Sequence, residues 1–144
     1  MADGFNPPGL WPQNGRAFSH GVVQGDGVVV HVTGQVAWDE HSAVVGAGDA
    51  GAQLEKAIGN VRLILDAVGG RLDDIVSMTI YYLDPADLPA IQRVRATHFP
   101  ASTAPASILI QVVGLVAPEL LVEVVPIAVV PHDRFRNPNT EEAR

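Results

Sequence analysis

One acidic residue stands out in the C-terminal part of the sequence, where two apolar segments contain few polar side chains. Glu123 lies in the second of these segments, residues 121–130, and Gln111 interrupts the first, residues 107–113. An isolated buried carboxylate is expensive, so Glu123 must be paired, solvated in a cleft or shifted in its pKa. A carboxylate in a cleft can orient a water molecule and move a proton. Glu123 is therefore the first candidate catalytic residue.

The other nucleophilic or metal-binding residue types give weaker signals. His20 and His98 are able to titrate near neutral pH, but no H-x-E or H-E-x-x-H spacing accompanies them. Structural or surface roles are therefore favoured over metal binding. No G-x-S-x-G segment marks a hydrolase nucleophile, and the chain has no cysteine. We predict no metal site and no cofactor.

The composition narrows the class of partner. A chain of 144 residues suits one domain, and a hydrophobic content of 47% indicates that some apolar surface is buried between copies. The formal net charge of −7 argues against a nucleic-acid partner. No apolar run reaches the roughly 20 residues that span a bilayer, and the N-terminus lacks a signal-peptide pattern. We therefore expect no membrane partner and a cytoplasmic location.

Hydrophobic periodicity predicts the elements that position these residues. An amphipathic helix is predicted between Asp49, as its N-cap, and Gly69, where apolar residues recur at three- and four-residue steps. A second helix begins at Asp84-Pro85 and ends before Pro100. The turn Gly25-Asp26-Gly27 predicts a hairpin. Alternating or continuous apolar runs predict strands at residues 18–24, 28–33, 36–38, 75–83, 107–113 and 121–130.

This order of elements predicts a single α+β domain over residues 1–131. Its expected architecture is a mixed six-stranded sheet with two helices packed on one face. An N-terminal arm covers residues 1–16, and residues 132–144 are predicted to form a flexible C-terminal tail. Two helices on one face leave the other face of the sheet uncovered. When that face carries Val and Ile, its exposure makes a monomer prone to aggregation. A homo-oligomer is therefore expected.

Three segments of the chain carry a resemblance to a known family. They are residues 32–39 (VTGQVAWD), residues 53–94 and residues 121–130 (LVEVVPIAVV). Together they resemble the reactive-intermediate (enamine/imine) deaminase family, which is also labelled the L-PSP endoribonuclease or translation-inhibitor family. The similarity extends over residues 5–131. It implies a chorismate-mutase-like fold, a homotrimer, and a site for a small-molecule ligand in each cleft between subunits.

The resemblance also implies which residues form the site. The family's P-A-R-[ST] pattern, whose arginine binds the substrate carboxylate, falls on Pro105-Ala106-Ser107, so Ser107 replaces that arginine. Candidate replacement cations are Arg62, Arg93 and Arg95, of which Arg95 is the one placed to reach a cleft; the alternative is a solvated arginine on a helix surface. The implied catalytic residue is Glu123, and the implied substrate-binding positions are Phe18, Gly34, Gln92, Arg95, Ser107 and Leu109.

Three functions remain open at this point. The first is hydrolysis of a reactive enamine or imine to a carbonyl compound and ammonia. Weak or altered activity on 2-imino acids is expected, because Ser107 offers one neutral hydrogen-bond donor whereas an arginine offers a charged guanidinium that can donate two hydrogen bonds to a carboxylate. The second is a non-catalytic, trimeric ligand-binding or regulatory protein on the same scaffold. The third is RNA cleavage, which the acidic charge and the absence of a basic stripe disfavour.

Overall fold

Residues 3–140 are described by the computed structural model, and they form six strands and two α-helices. Neither of these helices is long and apolar enough to cross a membrane. In chain order the elements are β1 (Asp3–Phe5), β2 (Gly21–Val23), β3 (Val28–His31), α1 (Ala50–Asp66), β4 (Ile75–Tyr82), α2 (Leu88–His98), β5 (Ala106–Gln111) and β6 (Val122–Val130).

The strands lie in two sheets. The main sheet has the order β3-β6-β4-β5, and a separate antiparallel ribbon pairs β1 with β2. Strands β4 and β5 are parallel because α2 provides the crossover between them, whereas β6 runs antiparallel to both β3 and β4. The mixed sheet with two helices confirms the predicted α+β class. The strand number is six as predicted, but the strands are divided between two sheets rather than joined in one, and β1 lies within the predicted N-terminal arm.

Helix α1 forms most of the contact between the helices and the sheet. The Asp49 side chain accepts a hydrogen bond from the Ala52 N–H at 3.0 Å, which confirms the predicted N-cap. Gly69 follows the helix with a φ of 77°, the left-handed conformation that glycine adopts without strain. The apolar stripe of α1 and the facing strands form one buried cluster, which includes Leu54, Ile58, Val61, Leu65, Ile80, Val122 and Val124.

The predicted hairpin at Gly25-Asp26-Gly27 is wrong. Strand β2 pairs with β1 and β3 pairs with β6, so the strands on either side of the turn belong to different sheets. Gly27 instead allows a close backbone approach, because a Cβ atom there would lie 2.6 Å from the Val130 carbonyl oxygen. The strand predicted at residues 36–38 is also wrong, since only isolated bridges form at Gln35 and Trp38.

The first part of the predicted C-terminal tail is bonded to the domain. Arg134 donates to the Gly69 carbonyl at 2.9 Å and to the Asp74 carboxylate at 2.6 Å. The Arg136 N–H donates to the Val68 carbonyl at 3.0 Å. Arg134 and Arg136 are thus bonded to the domain, the flexibility of residues 132–144 stays a prediction, and residues 141–144 lie outside the described residues.

The contact between Asp74 and Arg134 predicts a pH-dependent stability. Burial of the fully buried Asp74 raises the pKa of its carboxyl, but hydrogen bonds from Arg134 and from the Arg71 N–H lower it more, so the pKa lies below its ordinary value of 3.8. A carboxyl whose pKa is lower in the folded state contributes stability above its unfolded pKa, and this contribution is lost as the pH falls through the folded pKa. Arg134→Met should therefore lower the free energy of unfolding by about 2 kcal/mol at about pH 7, and by much less in strong acid.

Urea unfolding at neutral and strongly acidic pH measures this effect. Arg136→Met is the matched control, because the Arg136 side chain donates to a main-chain carbonyl, that of Asp66, and not to a carboxylate. An equal loss of stability at both pH values in Arg134→Met would contradict the assignment to Asp74.

Candidate active site

The main sheet separates the two strand residues that were expected to mark the site. The register pairs Glu123 with Tyr81 and Tyr81 with Ile110, whereas Ser107 pairs with the buried Met78. Paired residues share a face of a sheet and successive residues alternate between faces. Ser107 therefore lies on the face covered by the helices, and Glu123 lies on the open face. Within one chain the two residues do not meet, so a cleft shared by both requires a second copy.

On the helix side, Ser107 contacts an arginine from α2. The Arg95 Nη1 donates a hydrogen bond to the Ser107 hydroxyl oxygen at 2.9 Å. Arg95 follows the buried Ile91 by one helical turn, so it shares the buried face of the helix, and only 2% of it is exposed. Its Nε–H is buried and has no hydrogen-bond partner in the described part of the chain. The side chain of Ser107 is thus in contact with a guanidinium that the helix supplies.

The charge of Arg95 is not neutralised within the described part of the chain. Among residues 3–140 no carboxylate pairs with its guanidinium, and its charged neighbour is Arg16. Burial lowers the pKa of Arg95, and the positive charge of Arg16 lowers it further. The group stays charged at neutral pH because an arginine starts from a very high pKa. A buried cation without a counter-ion costs several kcal/mol, and an anion bound at this point would reduce that cost.

Trp11 of the N-terminal arm and two rings that follow the arm, Phe18 and His20, form a cluster that holds Arg16. Trp11 lies 5.1 Å from Phe18 and 4.6 Å from His20, between ring centroids, and Phe18 lies 5.3 Å from His20. The Arg16 guanidinium carbon lies 5.3 Å from the centroid of the Trp11 ring and 5.7 Å from that of Phe18. A cation at this distance from aromatic rings is attracted to them. The cluster therefore holds a positive charge beside the rings.

Hydrogen bonds of Ser19 place this cluster next to β5. The Ser19 N–H donates to the Pro105 carbonyl at 3.0 Å, and its hydroxyl donates to the Ala104 carbonyl at 2.6 Å. Phe18 is therefore fixed beside the segment that leads directly into Ser107. Phe18 itself is buried. The strand predicted to begin at Phe18 begins at Gly21 instead, so Phe18 is not part of it.

On the open side of the sheet, Glu123 lies beside a loop glycine. A Cβ atom at Gly34 would lie 2.6 Å from the Glu123 Oε2, so any other residue there would displace the carboxylate from its present position. Among residues 3–140 no group donates a hydrogen bond to the Glu123 carboxylate. Glu123 and Gly34 both line a cavity of about 880 Å³. The carboxylate is thus available to a water molecule or a ligand.

The same cavity contains polar groups that sequence reasoning did not select. Asn60 donates to the carbonyls of Val36 and Trp38 at 3.1 and 3.0 Å, which fixes the loop after Gly34. The Trp38 Nε1–H is buried without a partner, and Lys56 brings a positive charge to the lining. The helical spacing of Lys56 and Asn60, one turn apart on α1, is the signal that places both side chains on one face.

Residues 11–130 match the model of the family described as Endoribonuclease L-PSP. The chain belongs to this family. It is 40% identical over 100 residues to the 3-aminoacrylate deaminase RutC of Acinetobacter baylyi, a match that covers 69% of this chain and 78% of that protein. The resemblance noted in the sequence is therefore confirmed.

Two solved structures of the Rid group are similar to this chain. YyfB of the conserved Rid protein family from Yersinia pestis is 32% identical, with a TM-score of 0.82 over 90% of this chain and 98% of that one. RidA from the Antarctic bacterium Psychrobacter sp. PAMC 21119 is 26% identical, with a TM-score of 0.65 over 78% of this chain and 88% of that one. These likenesses confirm the chorismate-mutase-like fold.

The structure distinguishes the arginines that were candidate replacements for the family's strand arginine. Arg95 reaches Ser107, as described above. Arg62 instead contacts the Nδ1 of His98 at 3.4 Å, and His98 in turn contacts Glu55 at 2.6 Å. Arg93 is exposed on the outer side of α2. Of the three candidates, Arg95 is thus the one whose guanidinium contacts Ser107.

The two remaining L-PSP family positions have different surroundings. Leu109 packs partly buried against the main core, on the same face of β5 as Ser107. Gln92 lies on α2 three residues before Arg95 and is half-buried, with no side-chain hydrogen bond among the described residues. Leu109 therefore packs next to Ser107 on the helix-covered face of β5. The Gln92 side-chain amide, one helical turn before Arg95, has no hydrogen-bond partner among residues 3–140.

Proposed function

We propose that this protein hydrolyses a reactive enamine or imine that carries a carboxylate, giving a carbonyl compound and ammonia. The observation that carries the proposal is the buried guanidinium of Arg95 at Ser107, which has no carboxylate partner among residues 3–140. Replacement of the strand arginine by Ser107 predicted weak or altered activity on 2-imino acids. A guanidinium from α2 supplies the missing charge from a different direction, so we propose altered specificity rather than loss of activity.

Glu123 is the proposed acid–base residue. Its carboxylate has no donor among the described residues, so it is free to bind the attacking water. The water oxygen forms a bond to the imine carbon while Glu123 takes one proton from the water and passes it to the imine nitrogen, which gives a carbinolamine. The hydroxyl proton of this intermediate then moves through the same carboxylate to the amine nitrogen. The carbon–nitrogen bond breaks, ammonia leaves, and the carbon becomes a carbonyl. Gly34 keeps the space beside the carboxylate open.

A complete site of this kind requires two copies of the chain. Glu123 and Arg95 lie on opposite sides of the sheet in one chain, so we propose that Glu123 of one copy faces Arg95 and Ser107 of the next. The open face also exposes apolar side chains, with 56% of Ile108 and 39% of Ile110 accessible. A homo-oligomer would bury this face. We propose the homotrimer that the family resemblance implies.

The test is the decay of imines formed in solution from amino acids by an amino-acid oxidase. Addition of the protein should accelerate imine loss in proportion to its concentration, and heat-denatured protein should have no effect. Binding of the carboxylate product without acceleration at any protein concentration would contradict the proposal and favour the non-catalytic ligand-binding protein. Incubation with RNA under the same conditions should leave the RNA intact.

A further inference from the structure

We propose that the site accepts a dianion: Arg95 and Ser107 bind one carboxylate of the substrate, and Arg16 binds a second anionic group. The preferred substrate would then be the imine of a dicarboxylic amino acid. The chemical step rests on the proposed function, whereas the binding claim is independent of it. Arg16 was not selected from the sequence, because nothing in the N-terminal arm distinguishes it from a solvated arginine.

Arg16 is held in place before any ligand arrives. Its Nε donates to the Gln13 carbonyl at 2.9 Å and its Nη2 donates to the Pro12 carbonyl at 3.3 Å. Its contacts with the Trp11 and Phe18 rings hold the group further. Within residues 3–140 these contacts leave Nη1 without a hydrogen-bond partner. A guanidinium that is already ordered binds a carboxylate with a smaller loss of side-chain entropy.

A short chain of contacts links the two guanidiniums. Arg16 stacks on Phe18, the hydrogen bonds of Ser19 hold Phe18 beside the segment leading into Ser107, and Ser107 contacts Arg95. The positive charge of Arg16 acts on Arg95, whose pKa it lowers in addition to the effect of burial. Two like charges held near each other by separate elements are unfavourable without an anion between them.

The excess of carboxylates in this chain makes two arginines without a carboxylate partner among residues 3–140 unexpected. The protein has 16 Asp and Glu residues against 9 Lys and Arg residues, so carboxylates are in excess. Arg134 does pair with one, at Asp74. Arg16 and Arg95 pair with none among residues 3–140. One carboxylate would neutralise one of the two charges, and a second anionic group would neutralise the other.

Binding of unreactive acids to the intact oligomer tests the proposal by calorimetry at low salt. Succinate should bind at least about 10-fold more tightly than propionate, because it adds a charge-assisted pair. Arg16→Gln should remove this preference while leaving propionate binding within about 2-fold of the wild type, and Arg16→Lys should keep part of it. Arg71→Gln, the same charge change at an exposed site, should keep the full preference.

Turnover of the imines of aspartate and alanine separates the two proposals. Wild-type protein should favour the aspartate imine by about 10-fold in kcat/KM, and Arg16→Gln should not discriminate. Tight succinate binding without hydrolysis of either imine would retain the dianion site and reject the deaminase. Equal binding of propionate and succinate by wild-type protein would overturn the dianion site, even if Arg16→Gln failed to fold. Hydrolysis of both imines at equal rates would also overturn it while leaving the deaminase intact.

Discussion

Glu123→Gln should lower the kcat of imine hydrolysis by about 100-fold or more, with a change in KM below about 3-fold. The amide keeps the size of the side chain and its place beside Gly34, so substrate binding should persist. It has no basic oxygen to take the proton of the attacking water and no acidic proton to give to the leaving nitrogen. Because no group donates to the Glu123 carboxylate among residues 3–140, the free energy of unfolding should hardly change.

Initial rates over a range of imine concentrations measure this effect. Glu119→Gln is the matched control, since Glu119 precedes the same strand but has an exposed side chain. It should behave as the wild type. A kcat of Glu123→Gln within about 3-fold of the wild type would show that general acid–base catalysis does not come from Glu123.

Arg95→Met should separate binding from stability. We expect KM for a 2-imino acid to rise by about 100-fold, because a buried charge-assisted bond to the carboxylate is lost. We also expect the free energy of unfolding to stay constant or to increase by about 1–2 kcal/mol, since an uncompensated buried cation is replaced by an apolar side chain of similar length. A side chain whose removal abolishes binding but not stability acts on the ligand.

Arg134→Met is the comparison variant for the stability of Arg95→Met. Arg134 pairs with the buried Asp74, so its loss should destabilise the fold. Excess succinate should raise the unfolding temperature of the wild type and of Arg134→Met, but not that of Arg95→Met. If Arg95→Met lost as much stability as Arg134→Met and kept its KM, Arg95 would be a structural residue.

The parts of the fold that depend on local chemistry were predictable from the sequence. The apolar steps from Leu54 to Leu65 define α1, Asp49 caps it and Gly69 ends it. The hairpin at Gly25-Asp26-Gly27 failed for a physical reason. A turn signal depends only on about four neighbouring residues. The strand that pairs with β3 is β6, about a hundred residues later in the chain, and this pairing depends on how the whole sheet is buried.

The site was only partly predictable for the same reason. Alternation along β5 and β6 is visible in the sequence, but the face that each strand turns toward the helices follows from the register with β4. This is why Ser107 and Glu123 were expected together although one chain separates them. The helical position of Arg95 made it a candidate, and only the packing of α2 against β5 brings its guanidinium to Ser107. The stacking of Arg16 on Trp11 depends on how the arm folds back.

The central claim is that one active site takes Glu123 from one copy and Arg95 from the next, and co-assembly of two inactive variants tests it most directly. Glu123→Gln and Arg95→Met chains, co-expressed in equal amounts and purified as mixed oligomers, place an intact Glu123 opposite an intact Arg95 at about one quarter of the interfaces if they assemble at random. We therefore predict recovery of about one quarter of the wild-type rate at low substrate concentration, from two variants that are each nearly inactive. A mixed oligomer no more active than the average of the two variants would contradict the shared site.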